Sequence, residues 1–323
     1  MKKHNLTRAF LLIILLSTIL TACSPPKNGG DQNAPLEGTI TISGAWALYP
    51  LVVRWGEEYQ KIHPAVRFDI SAGGAGKGMA DALANAVDIG MVSREIYPQE
   101  TEQGAFWVSV AKDAVFLTIN DQNPVWEYLQ STGITREKII DIYLTGKITN
   151  WGEVAVRNEI TEPIHIFTRS DACGAAATWA KYLGQHQEDL LGIGVFGDPG
   201  VLESVIKDPL GIGFNNLSYA YDFETGAPVT GIHIVPLDIN SNGEVDQEEI
   251  IDTKEQALDA VSAGYYPSPP ARDLNLVTKG QPQGLVREFI LWVLSEGQAY
   301  VSDTGFIPIS QDKLEKEILK LDK

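Results

Sequence analysis

Near its middle the chain reads Phe167-Thr-Arg-Ser-Asp-Ala-Cys-Gly-Ala-Ala-Ala-Thr-Trp-Ala-Lys-Tyr-Leu183, a pattern that indicates a strand end, a short loop and a helix opening at Gly174. The loop carries Arg169 and Asp171. The first amide groups of a helix have no partner within the helix, and next to an arginine they favour an anion. The stretch therefore predicts an anion-binding site, called here the anion seat, at a strand-to-helix turn.

Two other turns repeat this design. The first, from Ser43 to Pro50, places Leu48 and Tyr49 just before a proline that suits the start of a helix, so their amides could face a ligand. The second, from Ser71 to Gly78, is glycine-rich and ends with a lysine at the helix start. In open α/β sheets ligands bind beyond the carboxyl ends of strands, so we expect these turns to converge.

Each turn also has a simpler interpretation. Glycine-rich turns occur in any α/β protein, and Arg94 and Arg169 taken singly would more often form surface ion pairs. The glycine run also lacks the spacing of a nucleotide P-loop, which argues against ATP.

Around these turns the sequence alternates between strand and helix patterns. We expect strands at 39–43, 66–70, 88–92 and 114–119, and helices at 51–62 and 77–85. This alternation of strands and helices predicts an α/β sheet with helices on its faces.

Composition limits the partners. The chain has 323 residues, 44% of them hydrophobic, and a formal charge of -17. Nucleic acid is excluded as a partner because its phosphates need a basic surface. Any anion site must therefore be a local positive pocket in an acidic protein.

The N-terminus resembles a bacterial lipoprotein signal. Three basic residues precede an apolar run at 9–20, which is too short for a typical membrane span, and the run leads to Leu20-Thr-Ala-Cys23. We expect a signal peptide at 1–22, a lipidated Cys23 and a flexible tether over 23–37, which would place the protein on the extracytoplasmic face of the cell envelope. Loss of 1–22 would shift the formal charge to -20. The alternative is an ordinary secretory signal with an incidental cysteine.

The chain as a whole resembles the substrate-binding proteins of phosphate ABC importers. The segments that carry the resemblance are Ser43-Gly-Ala with Tyr49-Pro50, Val87-Asp-Ile-Gly with Ser93-Arg94, Tyr143-Leu-Thr-Gly-Lys-Ile-Thr-Asn-Trp-Gly152, Arg169-Ser-Asp with Gly174, Gly211-Ile-Gly-Phe214, Gly264-Tyr-Tyr-Pro267, and Leu294-Ser-Glu-Gly-Gln298 with Gly305-Phe-Ile-Pro308. The resemblance implies a type II periplasmic-binding-protein fold, with two α/β lobes joined by two crossover strands and a ligand cleft between them. It implies a first lobe of 38–115 plus 266–323 and a second lobe of 116–265.

The resemblance also implies a set of ligand-binding residues: Ser43, Ala47, Leu48, Tyr49, Ser71, Gly74, Ala75, Gly76, Lys77, Ser93, Arg94, Arg169, Asp171, Cys173, Gly174 and Ala175. At three of these positions the family usually has serine or threonine, whereas this chain has Leu48, Cys173 and Ala175. Each missing donor would weaken binding by about 0.5–1.5 kcal/mol, whereas Lys77 and Arg94 would add charge. The expected ligand is phosphate, with sulfate, another oxyanion or a carboxylate as alternatives.

A second motif lies at 238–249 and fits the twelve-residue EF-hand calcium loop. Its expected ligands are Asp238, Asn240, Asn242, Glu244 through its carbonyl, Asp246 and Glu249. Gly243 stands where such a loop turns sharply. We expect structural Ca²⁺ here, and no catalytic cofactor. The alternative is a β-hairpin that turns at Asn242-Gly243.

Three function classes follow. The first is a monomeric, lipid-anchored receptor that captures phosphate or a related oxyanion for an ABC permease. The second is a binding, adhesion or sensor lipoprotein on the same fold that has lost transport. The third is an enzyme with Cys173 as nucleophile, which the sequence disfavours because the nearest histidine, His165, would lie at the far end of its strand.

Overall fold

The computed structural model describes residues 36–322. The signal peptide and the lipidation expected at Cys23 lie outside these residues, as does the tether up to residue 35. Within residues 36–322, no helix combines the length and the apolar character that a membrane span requires.

Strands and helices alternate through the first half of the chain and again after residue 165. The strands are β1 (Gly38–Gly44), β2 (Val66–Ala72), β3 (Ile89–Val92), β4 (Ala105–Asn120), β5 (Ile134–Thr135), β6 (His165–Arg169), β7 (Ile193–Val195), β8 (Gly211–Asn216), β9 (Ile232–Ile234), β10 (Leu237–Asp238) and β11 (Ala271–Lys279). The helices are α1 (Tyr49–Ile62), α2 (Ala75–Leu83), α3 (Pro98–Glu102), α4 (Trp126–Thr132), α5 (Arg136–Tyr143), α6 (Trp151–Ala155), α7 (Gly174–Leu183), α8 (Gly197–Lys207), α9 (Leu217–Ala220), α10 (Lys254–Ala263), α11 (Gly284–Leu294), α12 (Ala299–Asp303) and α13 (Gln311–Lys320).

One mixed sheet runs through the molecule in the order β2-β1-β3-β11-β4-β8-β6-β7, and β9 pairs with β4. The pairs β1–β2, β1–β3 and β6–β8 are parallel, whereas β4 and β11 are antiparallel to each other. Parallel neighbours joined through helices are typical of α/β proteins. The α/β prediction is therefore confirmed.

The fourth strand is longer than the sequence pattern indicated. It begins at Ala105 rather than at residue 114 and has 16 residues. The pattern missed its first half because the charged pair Lys112-Asp113 interrupts the apolar run, so the segment from Ala114 onward read as a separate strand.

Two hydrophobic cores lie along this sheet. The first core draws on residues 40–111 and 274–321, and the second core on residues 114–271 together with Ile307. Strands β4 and β11 contribute to both. Along β4 the residues pass from the first core to the second between Ala111 and Ala114. Along β11 they pass from the second core to the first between Ala271 and Leu274. These two strands therefore connect the cores, while the lobe boundaries stay a prediction.

Candidate anion site between the two cores

Arg169 ends β6 with its side chain fully buried. Its Nε and Nη2 donate to the two carboxylate oxygens of Asp171, at 2.8 and 2.6 Å, and Nη1 donates to Oδ2 of Asp198 at 2.5 Å. Burial alone would lower the pKa of Arg169, but the two carboxylates outweigh it and raise the pKa above its ordinary value. The guanidinium is therefore a fixed, permanently charged group at the carboxyl end of a strand.

The helix that follows begins where the sequence predicted. Helix α7 starts at Gly174, and Cys173 is its N-cap, with Sγ accepting from the amide of Ala176 at 3.3 Å. The amide of Cys173 donates to Oε1 of Gln187 at 3.2 Å. In the described part of the chain, the amides of Gly174 and Ala175 donate to no acceptor, which leaves two helix-start donors next to Arg169.

The thiol of Cys173 is buried and uncharged. Burial raises its pKa to about 12, and the nearby charge of Arg169 only partly opposes this effect. Because the thiolate is the nucleophilic form, the side chain acts as a helix cap and not as a nucleophile.

Loops from both cores meet at this helix start. The amide of Gly76 donates to the carbonyl of Ala172 at 2.9 Å. A methyl group added at Gly74 would lie 2.8 Å from Oδ2 of Asp171, and one added at Gly174 would overlap the carbonyl and hydroxyl oxygens of Ser93. These glycines permit the close approach, so the second and third turns and the Ser93 loop converge as expected.

The cations expected to assist Arg169 are engaged elsewhere. Lys77 pairs with Asp81 one helical turn along α2, and Oγ of Ser43 donates to the same carboxylate at 2.6 Å. Burial would raise the pKa of Asp81, but these two bonds lower it. Arg94 forms a two-point pair with Glu100, at 2.6 and 3.0 Å. Their roles as anion ligands stay a prediction.

The first turn is closed by its own backbone. The amide of Leu48 donates to the carbonyl of Ala45 at 3.2 Å, so it does not face the cleft as the sequence suggested. Ala47 and Leu48 are buried in the first core, and Tyr49 is half-buried. Ser71 lies opposite Ser43 in the sheet but is exposed, and Ala75 is buried at the start of α2.

Asp198 is the main residue that the sequence reasoning missed. It is buried in the first turn of α8, and besides Arg169 it accepts from Nδ2 of Asn216 at 2.6 Å. The signal was present, because Phe196-Gly197-Asp198 follows β7 as a further strand-to-helix turn. Phe196 also meets Trp46 of the first turn, with ring centroids 6.1 Å apart.

A cavity of about 530 Å³ adjoins these loops. Gly76, Ala172 and Cys173 line it, as do Arg94 and Lys181. Lys181 pairs with Glu95, and both side chains are more than half exposed.

The loop at 238–249 folds around its own polar side chains. Asp238 accepts from the amides of Asn242 and Gly243, at 3.1 and 3.0 Å. Oε1 of Glu249 accepts from the amide of Ile239 at 2.7 Å, and Oε2 from that of Asp246 at 3.2 Å. The first and last carboxylates of the loop thus both accept hydrogen bonds from backbone amides within the loop.

The alternative β-hairpin does not form. Strand β10 pairs in parallel with β5, and the returning segment is a 3₁₀ turn at Gln247–Glu249. Within residues 36–322, however, no three or more His, Cys, Asp and Glu side chains are grouped closely enough to hold a metal. A cation here would also need the amide oxygens of Asn240 and Asn242, which now accept from the loop backbone.

Comparison with known proteins identifies the family. Residues 29–297, most of the chain, match the model of the PBP superfamily domain. The chain belongs to the PBP superfamily.

Relatives within this superfamily match along nearly the whole length. The chain is 27% identical to the phosphate-binding protein PstS of Bacillus subtilis, over 98% of both chains. It is 26% identical to that of Methanocaldococcus jannaschii, over 89% of this chain and 87% of the relative. A crystal structure from Clostridium perfringens, described as a phosphate ABC transporter substrate-binding protein with bound phosphate, is 25% identical, with a TM-score of 0.68 over 84% of this chain and all of that one.

The predicted fold class is confirmed by these matches. An ABC-type phosphate transport receptor from Vibrio cholerae shares the fold at 19% identity and a TM-score of 0.60. These relatives are named as binding proteins and not as enzymes.

Proposed function

We propose that this protein is an extracytoplasmic, lipid-anchored receptor that captures phosphate or a related oxyanion and delivers it to an ABC permease. The observation that carries the proposal is Arg169. Its buried guanidinium is fixed by Asp171 and Asp198 beside the two unbonded amides that open α7. Fixed donors of this kind can replace the hydration shell of an oxyanion without rearranging first.

The relatives support phosphate as the leading ligand. The bacterial and archaeal relatives are named as phosphate-binding proteins, and the Clostridium perfringens structure contains phosphate. The loss of hydroxyl groups at Leu48, Cys173 and Ala175 leaves sulfate, other oxyanions and carboxylates as competitors. Asp171 and Asp198 together more than offset the charge of Arg169, so the helix-start amides must supply a large part of the attraction.

A thermal-shift panel tests the ligand. Phosphate at millimolar concentration should raise the melting temperature, because a ligand that binds only the folded state stabilises it in proportion to the logarithm of its concentration over Kd. Arg169→Lys should reduce the shift, since lysine cannot reproduce the two-point geometry. Arg157→Lys, at an exposed arginine outside the site, is the matched control and should leave the shift unchanged. The proposal fails if no oxyanion or carboxylate raises the melting temperature.

We further propose that the loop 238–249 binds structural Ca²⁺. The support is the match at every ligand position and the folding of the loop around Asp238 and Glu249. Calorimetric titration with calcium should give heat that Asp238→Ala abolishes, while Asp252→Ala, an exposed acid beside the loop, should retain it. The absence of heat at millimolar calcium, or heat that survives Asp238→Ala, would refute this assignment.

The membrane anchor and the transport role have separate tests. Cys23 should incorporate a labelled fatty acid in cells, and Cys23→Ser should release the protein from the membrane fraction. Phosphate uptake should fall in a strain that lacks the protein. Normal uptake in that strain, together with anion binding by the purified protein, would favour the adhesion or sensor role.

A further inference from the structure

A chain of buried polar side chains leads from Arg169 to the strands that connect the two cores. Arg169 donates to Oδ2 of Asp198 at 2.5 Å, and Oδ1 of Asp198 accepts from Nδ2 of Asn216 at 2.6 Å. Oδ1 of Asn216 in turn accepts from Nη2 of Arg272, which also donates to Oδ2 of Asp113 at 3.0 Å. We call these five residues the buried polar chain.

The buried polar chain ends where the molecule passes from one core to the other. Arg272 and Asp113 stand directly opposite each other in the β11–β4 ladder. On β4, Asp113 lies between Ala111 of the first core and Ala114 of the second. The ladder also shifts its register between Leu274 and Asn275, and such irregularities bend a strand locally. This place is therefore the natural hinge between the cores.

Burial makes the members of the buried polar chain depend on one another. Each of the five is at most 8% exposed. Burial raises the pKa of Asp113, although the charge of Arg272 opposes this. In such surroundings a charge that loses its partner is strongly unfavourable, so a change of partners at one end requires adjustment at the other.

Arg272 has a second link to the site and an unused donor. Its Nη1 donates to Oγ1 of Thr178 on α7, at 3.3 Å, so the guanidinium also touches the helix whose start forms the anion seat. Its buried Nε finds no acceptor among the described residues. A buried donor without a partner marks a side chain for which another arrangement can be better satisfied.

We propose that Asn216, Arg272 and Asp113 are positioning residues that couple anion binding at Arg169 to the bend of β4 and β11. The inference rests on the proposed anion site. An anion beside Arg169 competes with Asp198 for its guanidinium. Asp198 then relies more on Asn216, and the change reaches the hinge through Arg272. Coupling of this kind needs an element that can adopt two arrangements, and we assign that role to the guanidinium of Arg272.

Two measurements on the full chain test the coupling: the Kd for inorganic phosphate by calorimetry, and the fall in radius of gyration on saturation with phosphate by X-ray scattering. Asn216→Ala cuts the buried polar chain at its middle. Arg272→Lys keeps the charge opposite Asp113 but loses the fork that reaches Asn216 and Thr178 together. Both variants should bind phosphate at least about fivefold more weakly and contract less at saturation.

Thr278→Val is the matched control. It removes a hydrogen bond of the buried Thr278 side chain on the same strand β11, from Thr278 Oγ1 to the carbonyl of Gly280 at 2.7 Å, which lies away from the register shift and does not belong to the buried polar chain. It should lower the melting temperature while leaving both Kd and contraction as in the wild type. If Asn216→Ala does not fold, Arg272→Lys decides.

The outcomes separate this inference from the proposed function. If the wild type binds phosphate and contracts, but Asn216→Ala and Arg272→Lys lose only thermal stability, the buried polar chain is merely structural and the inference is overturned. If the wild type gives no heat with phosphate or any other oxyanion, the proposed function fails, and the inference falls with it.

Discussion

Arg169 donates three charge-assisted hydrogen bonds from a fully buried side chain. Two ion pairs fix the orientation of the guanidinium. Asp171 contacts it from its own loop, and Asp198 contacts it from the start of α8. The two carboxylates keep the guanidinium charged and fixed, and they set how much positive potential remains for a ligand.

Replacing Arg169 by alanine should destabilise the fold. The change leaves Asp171 and Asp198 in a buried place without their cation, and breaking a buried pair in this way costs about 3–5 kcal/mol. Urea unfolding measures this loss. Arg157→Ala should stay within about 0.5 kcal/mol of the wild type, because its side chain is exposed. A loss below about 1 kcal/mol for Arg169→Ala would show that the network is not tightly coupled.

Cys173 should resist alkylation in the folded protein. Its pKa of about 12 leaves almost no thiolate at pH 8, whereas the unfolded thiol has a pKa near 8.5. In a Cys23→Ser chain, iodoacetamide should label Cys173 at least about a hundredfold more slowly than in urea, as followed by mass spectrometry. Because the folded pKa is raised, the thiol favours the folded state below about pH 8.5, and this contribution is lost as the pH rises toward 12. Rapid labelling at pH 7 would contradict the burial of this thiol.

At the scale of elements, the site is formed where the starts of helices α2 and α7 and the loop at Ser93 pack closely together. Helix α7 faces the Ser93 loop, and the Gly74–Gly76 turn faces Asp171 and Ala172. Alternating strand and helix patterns predict these elements, because an apolar run, a polar turn and an amphipathic stretch in that order are typical of a strand, a loop and a helix. The same patterns predict the start of α7 at Gly174, which the structure confirms.

The pairings of Lys77 and Arg94 are local. Asp81 follows Lys77 by four residues on the same helix, and Glu100 follows Arg94 by six, so the sequence itself offered partners for both cations.

Partners that are distant in sequence could not be predicted in this way. Asp198 needs the pairing of β6 with β7 to arrive beside Arg169, 29 residues earlier in the chain. Such pairings depend on tertiary packing, which no local pattern records.

Gly174→Ala should prevent the close approach of α7 to the Ser93 loop. The added methyl group would overlap the carbonyl and hydroxyl oxygens of Ser93, although alanine itself is favourable in a helix. Phosphate affinity by calorimetry should fall at least about tenfold, and urea stability should fall as well, because the overlap involves the backbone carbonyl of Ser93. Gly56→Ala, whose methyl group would lie 3.3 Å from a ring carbon of Phe68 away from the site, is the control and should bind normally. Unchanged affinity in Gly174→Ala would show that this approach is not needed for binding.

Within residues 36–322, the molecule has two hydrophobic cores joined by β4 and β11 in one continuous sheet. Contacts across the cleft include the Gly76–Ala172 backbone bond, the Trp46–Phe196 ring contact, the Lys181–Glu95 ion pair and the close approach of Gly174 to Ser93. The exposed ion pair adds little by itself, because surface pairs contribute about 0–1 kcal/mol. An anion between the cores would therefore contribute a large part of the free energy that holds them together.

Calorimetric titration of the wild-type protein with phosphate tests the central claim most directly. The account predicts one phosphate per chain, bound with a Kd below 1 mM, a threshold that corresponds to about -4.1 kcal/mol. It also predicts that sulfate competes for the same site or fails to bind. No heat with phosphate, sulfate or any carboxylate at 10 mM, roughly ten times that threshold, would contradict the assignment of Arg169 and the start of α7 as an oxyanion site.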